Sequence, residues 1–288
     1  MIRRLKYNEI DFKKYTECLE NSEQKNWYAN KNVLDQLSGN WELLIYGDYE
    51  AVMPIPLKKK MGLNFILMPL FCQQLGIFSK EDNREINDQF LKVLQKKSNV
   101  FLYSFNQKNN FGEKLEKKKN YIIPISDYVI LRRTKYFKGR KSTAKCAQHL
   151  FYKEIDLSAE IISFIENNYK GIPKRSDYEK FIKYLEFLNV NGFLKLYGAY
   201  LDEKLINLAV IISEENQLSL LALINDESYK NENGPSFLID KILQNYIHEK
   251  TFNFMGSNIR GIEIFFKSFG AELQEYSYLE SKILKRIS

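Results

Sequence analysis

The chain has 288 residues, 44% of them hydrophobic, and carries a formal net charge of +7. That apolar content supports a packed core and excludes a disordered chain, and no apolar run reaches the ~18 residues of a membrane span. Three widely spaced cysteines, Cys18, Cys72 and Cys146, do not form a disulfide framework. Two histidines, His149 and His248, without CxxC or HExxH spacing, argue against a metal site. The N-terminal stretch is charged and lacks the apolar centre of a secretory signal. The expectation is a soluble, cytoplasmic protein with no metal and no membrane partner.

In chain order, Ile2–Tyr7 reads as a short strand, and Asp11–Leu19 and Asn26–Leu37 as helices. A hairpin follows, Trp41–Gly47 and Ala51–Pro56 about a polar Asp48-Tyr49-Glu50 tip. Next come a strand over Phe65–Pro69, a helix with Ile86, Phe90, Leu91 and Leu94 on one face, and a strand at Val100–Leu102. Phe111–Lys119 reads as a helix, and Tyr121–Ile125 or Val129–Leu131 as a last strand.

The order then repeats. Phe151–Ile155 is a strand, and Ser158–Asn168, with Ser158 as N-cap, and Asp177–Leu188 are helices. A hairpin surrounds Asp202-Glu203-Lys204, and a strand covers Ser219–Leu223. Leu238, Ile242, Leu243 and Tyr246 line one helix face, and Phe252–Phe254 is a strand. A helix at Ile259–Phe269, with Ile259, Ile262, Phe265, Phe266 and Phe269 at helical spacing, stops at Gly270, and Tyr276–Leu279 is the final strand. An offset of 154 carries Asp48 onto Asp202, and one of 152 carries Phe90 onto Ile242. The chain therefore reads as α/β with mixed sheets, in two tandem domains related by an internal repeat and packed on each other. The boundaries fall at 1–131, a basic connecting helix at 132–150, and 151–288.

Three stretches carry chemistry. The first is the connecting segment, where Arg132, Arg133, Lys138, Arg140 and Lys141 stand with no acid among them. It suits a polyanion, nucleic acid or phosphorylated small molecule, or else a solvated basic helix. The second is Gln73-Gln74, two amides after an apolar strand. They are candidates to bind a substrate amide or carboxyl, or to stabilise the loop. The third is Gly256-Ser257-Asn258, where backbone N–H groups are free at a strand mouth.

The repeated order resembles the GNAT acyltransferase fold in tandem, as in the Fem-type aminoacyl-transferases and GNAT-like relatives mostly of unknown substrate. The residues that carry the resemblance are Asn40–Leu44 with Tyr49–Lys60, Pro69–Ser79, and Phe252–Ser257 with Phe265–Ala271. It covers nearly the whole chain. It implies transfer of an acyl group, acetyl in the first instance, from acyl-CoA to an amine of a small molecule or peptide, at a site in the C-terminal domain. In such enzymes a basic-x-x-Gly-x-Gly/Ala loop and a helix N-terminus hold the coenzyme pyrophosphate. The corresponding residues here are Lys230, Gly234, Pro235 and Ser236, with Leu223 and Ile224 on the preceding strand; Glu232 stands near where a cation is expected. The tyrosine that often serves as general acid corresponds to Phe266, so the resemblance leaves Ser257, Asn258, Lys267, Tyr276 and Tyr278 as catalytic candidates. A Fem-type enzyme would take aminoacyl-tRNA as donor, making tRNA the alternative partner. A non-catalytic binding protein that retains the fold is a third reading.

Overall fold

The computed structural model describes residues 1–60, 62–97, 99–172 and 174–281. The chain opens with β1 (Ile2–Leu5), α1 (Phe12–Glu20), α2 (Lys31–Ser38), β2 (Trp41–Tyr46), β3 (Ala51–Lys60), β4 (Leu63–Leu67), β5 (Phe78–Ser79), α3 (Arg84–Lys97) and β6 (Val100–Ser104). It continues with β7 (Glu116–Ile123), α4 (Tyr128–Thr134), α5 (Lys138–Cys146), β8 (Phe151–Ile155), α6 (Ala159–Asn168), α7 (Arg175–Val190), β9 (Leu194–Leu201), β10 (Lys204–Ser213), β11 (Gln217–Asn225), α8 (Gly234–Tyr246), β12 (Thr251–Asn253), α9 (Arg260–Lys267) and β13 (Glu272–Glu280). The repeat is visible element by element, β2–β3 answering β9–β10 and α3 answering α8. Ser158 caps α6 by accepting from the Ile161 N–H at 3.3 Å.

Two compact units result, one of residues 1–118 with 275–288 and the other of 119–274. In the first, the strand order is β1-β2-β3-β4-β6-β13, with β5 on β3. In the second it is β7-β12-β11-β10-β9-β8. Each unit contains a parallel pair, β4 with β6 in the first and β11 with β12 in the second, beside antiparallel neighbours. Trp41, Tyr15, Tyr103 and Phe105 are buried in the first unit. In the second, Phe237, Ile242, Phe252 and Phe269 belong to one buried cluster. Alternating strand residues and one face of each covering helix supply these cores.

Four expectations change. The closing strands are exchanged: β13 pairs with β6 (Tyr278 opposite Ser104), while Ile123 of β7 pairs with Phe252 of β12. No helix forms over Phe111–Lys119, because side chains hold that backbone instead. Asp88 accepts from the Gly112 N–H at 2.8 Å and Asp82 from the Asn110 N–H at 3.1 Å, and β7 begins at Glu116. Val129–Leu131 lies in α4, started by Asp127, whose side chain accepts from the Ile130 N–H at 2.8 Å. The connecting segment is two helices broken at Lys135–Phe137. There the Phe137 N–H donates to the Ser268 carbonyl at 3.0 Å rather than continuing α4.

Candidate functional site

β12 covers only Gln217–Ser219 of β11, and β11 runs on to Asn225. A bulge at Leu221 interrupts its pairing with β10, Val210 lying opposite Ala222 and Ile211 opposite Leu220. Beyond β12 the chain turns away through Met255 (φ 56°) and Gly256 (φ 78°), both left-handed. Asn253, buried, stabilises the turn by accepting from the Met255 N–H at 2.8 Å. Ser257 then accepts from the Ile259 N–H at 3.0 Å and leads into α9. The strands therefore splay, and a cavity of about 630 Å³ opens between them, lined wholly by residues of the second unit.

The β11 wall is Leu220–Leu223 with Asn225, and the opposite wall is Phe254–Ser257 with Ile262, Phe265 and Phe266 of α9. Phe266 stacks on Phe254 with ring centroids 4.3 Å apart, and Phe265 meets Phe269 edge-on at 5.2 Å. The helical stripe on α9 is thus split. Phe266 and Phe269 are buried, whereas Ile259 is exposed and Ile262 half-exposed beside the cavity.

Polar groups enter from the rim. The segment after α6 contributes Asn168, Tyr169, Lys170 and Gly171. The Tyr169 ring packs on Phe181 at 5.1 Å, and burial pushes its phenol pKa up. Gly171 packs closely on this ring, since a Cβ there would fall 2.7 Å from it. Lys170 lies 3.9 Å from Glu227 of the segment after β11, and both line the cavity.

The first turn of α8 reaches the cavity through Pro235. No side chain caps this helix, and its N-cap Asn233 is left-handed (φ 60°). Gly234 is buried against Asn207, whose Oδ1 would lie 1.6 Å from a Cβ. Asn207 in turn donates to Asn225 at 2.9 Å. Arg140 of α5 reaches the same turn. Its guanidinium bonds the Ser236 hydroxyl, donates from Nε to Ser268 Oγ at 2.8 Å, and lies over the Phe265 and Phe269 rings at 4.5 and 4.8 Å. Burial lowers its pKa from the usual arginine range, and no carboxylate pairs with it among the described ion pairs.

Of the predicted residues, Ser257, Leu223 and Pro235 line the cavity. Asn258 accepts from the Lys119 N–H at 3.4 Å, and Lys267 is tied to Glu263 at 2.7 Å. Tyr278 lies in the first unit and donates to Glu116 at 2.6 Å, which raises its pKa to about 12. Tyr276 is also in that unit, and burial takes its pKa to about 12. Ile224 is buried, Lys230 is exposed, and Glu232 pairs with His149 at 2.9 Å. Gln74 is buried in the first unit, where it accepts from the Gln107 N–H at 2.9 Å and donates to Gln73 at 3.2 Å. Arg132 lies 3.7 Å from the buried Asp240, and Lys141 donates to the Arg133 carbonyl at 2.6 Å. Arg133 and Lys138 are exposed. Sequence reasoning missed Tyr169, Lys170 and Asn225. They sit on connections whose approach to β11 no local pattern encodes, although Gly171 marks a tight place.

FemX matches over 99% of both chains, with a TM-score of 0.64 at 12% identity. The fold is the tandem GNAT-like fold. A tandem GNAT protein from the clavulanic acid biosynthesis pathway covers 96% of this chain and 97% of its own (TM-score 0.54, 9% identity). L-PGS from Bacillus licheniformis covers 96% and 94% (TM-score 0.53, 10% identity). No protein-family model and no curated protein matches the sequence.

Proposed function

We propose that the chain is an N-acyltransferase that moves an acyl group, acetyl in the simplest case, from acyl-CoA to an amine of a small molecule or peptide. The observation that carries this reading is the cavity where β11 outruns β12, reached at one side by Pro235 in the uncapped first turn of α8. The donor's amide-bearing arm lies along the β11 edge that β12 leaves uncovered, where strand backbone groups pair with it. Its phosphates sit at the first turn of α8, where the Gly234 N–H and the helix dipole favour an anion, Pro235 having no N–H and those of Ser236 and Phe237 being bonded to the Asn233 carbonyl. Arg140 brings the cation that the Gly234 loop lacks.

The amine enters past Tyr169–Gly171 and attacks the thioester carbonyl. A C–N bond forms as the C–S bond breaks, and negative charge passes through the carbonyl oxygen to sulfur. Backbone N–H groups at the Leu221 bulge polarise the carbonyl. Phe266 has no proton to give. Tyr169, a phenol whose pKa burial raises further, donates to the departing thiolate and is reprotonated by the amine.

Acetyl-CoA binding to the native state raises the melting temperature, by about 2.7 kcal/mol of stability at about a hundredfold excess over Kd. Thermal denaturation with and without acetyl-CoA tests this. The expected result is a rise of several degrees in the wild type and a much smaller one in Arg140→Met. No shift in the wild type at millimolar coenzyme overturns the reading and favours an aminoacyl-tRNA donor, for which the exposed Arg133 and Lys138 are the phosphate contacts.

A further inference from the structure

The acyl-transfer reading leaves the outer surface of the α4–α5 joint without a role. α4 has two unlike faces. Leu131 is buried, Tyr128 donates to Asp240 at 2.9 Å, and Arg132 approaches the same carboxylate, so these residues face inward. Val129, Ile130 and Arg133 fall on the opposite face. Val129 and Ile130 are each more than half exposed, as are Ile125 just before the helix and Phe137 just after it. Lys138 stands next to Phe137 and is exposed. Lys135, also exposed, lies 4.0 Å from Glu272.

The end of α9 joins this surface. The Phe137 N–H bonds the Ser268 carbonyl, and Gly270 leaves room for Lys135, whose Cβ would lie 2.5 Å from a Cβ at that position. Ile264, one turn before Ser268 on α9, is more than half exposed as well. Aliphatic and aromatic side chains thus stand in water among cations, where a soluble monomer usually places polar groups.

We infer that this face binds the surface of an anionic lipid bilayer, with Arg133 and Lys138 in the headgroup layer and Val129, Ile130 and Phe137 inserted beneath it. Nucleic acid would use the cations but leave two aliphatic side chains unsatisfied, since bases stack on aromatic or guanidinium planes. A second copy would set the same cationic patch against itself, in a chain already carrying +7. An anionic bilayer accepts both kinds of group at once. No helix among the described residues is long and apolar enough to cross a membrane, and the contact is with its surface. The inference is independent of the acyl-transfer reading.

Flotation of the full chain with vesicles of phosphatidylcholine and phosphatidylglycerol, against pure phosphatidylcholine, tests it. The expected result is binding to the anionic vesicles only, weakened by salt. Arg133→Glu with Lys138→Glu lowers partitioning by at least about fivefold per cation removed. Val129→Ser with Ile130→Ser lowers it about tenfold or more without altering the charge. Both pairs are exposed, and unchanged melting temperatures confirm that the fold is kept. No vesicle binding, equal binding to neutral vesicles, or wild-type binding by the Val129→Ser/Ile130→Ser variant overturns the proposal. So does a concentration-dependent dimer abolished by that variant, or binding of tRNA that only the charge variant weakens, in the absence of vesicle binding.

Discussion

Tyr169 ends α6 with its ring against Phe181 and lines the cavity, and burial raises the pKa of its phenol. In the proposed reaction, where it donates a proton to the leaving group, it would act on the chemical step. Tyr169→Phe is therefore expected to lower kcat by about 10²–10⁴-fold with little change in KM, measured by steady-state kinetics with acetyl-CoA and an accepted amine. Equal kcat in the variant removes Tyr169 from the mechanism. Glu263 presents a different case. Its carboxylate accepts from Lys267 Nζ at 2.7 Å and Lys119 Nζ at 3.0 Å, and these bonds, with Tyr121, lower its pKa from 4.5 to about 2. A depressed folded-state pKa contributes stability that is present above about pH 4.5 and lost as pH falls toward about 2. The melting temperature of the wild type should exceed that of Glu263→Gln at neutral pH, and the gap should close across that acid window. A gap that does not depend on pH would contradict the assignment. Ser257 was legible in the sequence because a Gly-Ser turn between an apolar strand and an amphipathic helix marks a strand mouth. Tyr169 was not, because one tyrosine in a connection has no pattern to distinguish it.

At the scale of elements, the strand exchange has a direct consequence. β13 comes last in the chain, yet its hydrogen bonds are to β6: Tyr278 lies opposite Ser104, and the Phe105 N–H donates to the Ser277 carbonyl at 2.9 Å. Truncation after Gln274 should expose the β6 edge in the first unit and leave β11 and β12 paired in the second. Hydrogen exchange is the measurement. Amides of Phe101, Tyr103 and Phe105, which face β13, are expected to lose protection while those of Gln217–Ser219 and Thr251–Asn253 keep theirs. The opposite pattern would mean that the strands close their own halves. Periodicity reports an element's type and its buried face, so both β7 and β13 were partly visible as strands. It carries no record of which edge a strand joins, because either sheet offers the same backbone donors and acceptors.

Across the whole molecule, two copies of one plan differ at their strand mouths. In the first unit the mouth beyond β4 and β6 is filled by the chain itself. The Met68 N–H donates to Leu102, the Leu75 N–H to Ser104, each at 3.0 Å, and the Gly76 N–H to the buried Tyr103 hydroxyl at 3.0 Å. There Asn83 also caps α3 by accepting from the Glu85 and Ile86 N–H groups at 3.0 and 3.1 Å. In the second unit the corresponding strands part over a cavity, and α8 starts without a side-chain cap. The sequence alone determined the repeat, the α/β class and most of the elements, because side-chain periodicity and turn residues act over a few positions. It also marked Ser257 and Pro235, which lie within local strand–turn–helix signals. Only the tertiary structure decided that one mouth is closed and the other open, that Tyr169 and Lys170 come to β11, and that Arg140 reaches the first turn of α8 across 96 residues of sequence. Those outcomes depend on side chains satisfying distant partners, for which the chain's local pattern contains no distance.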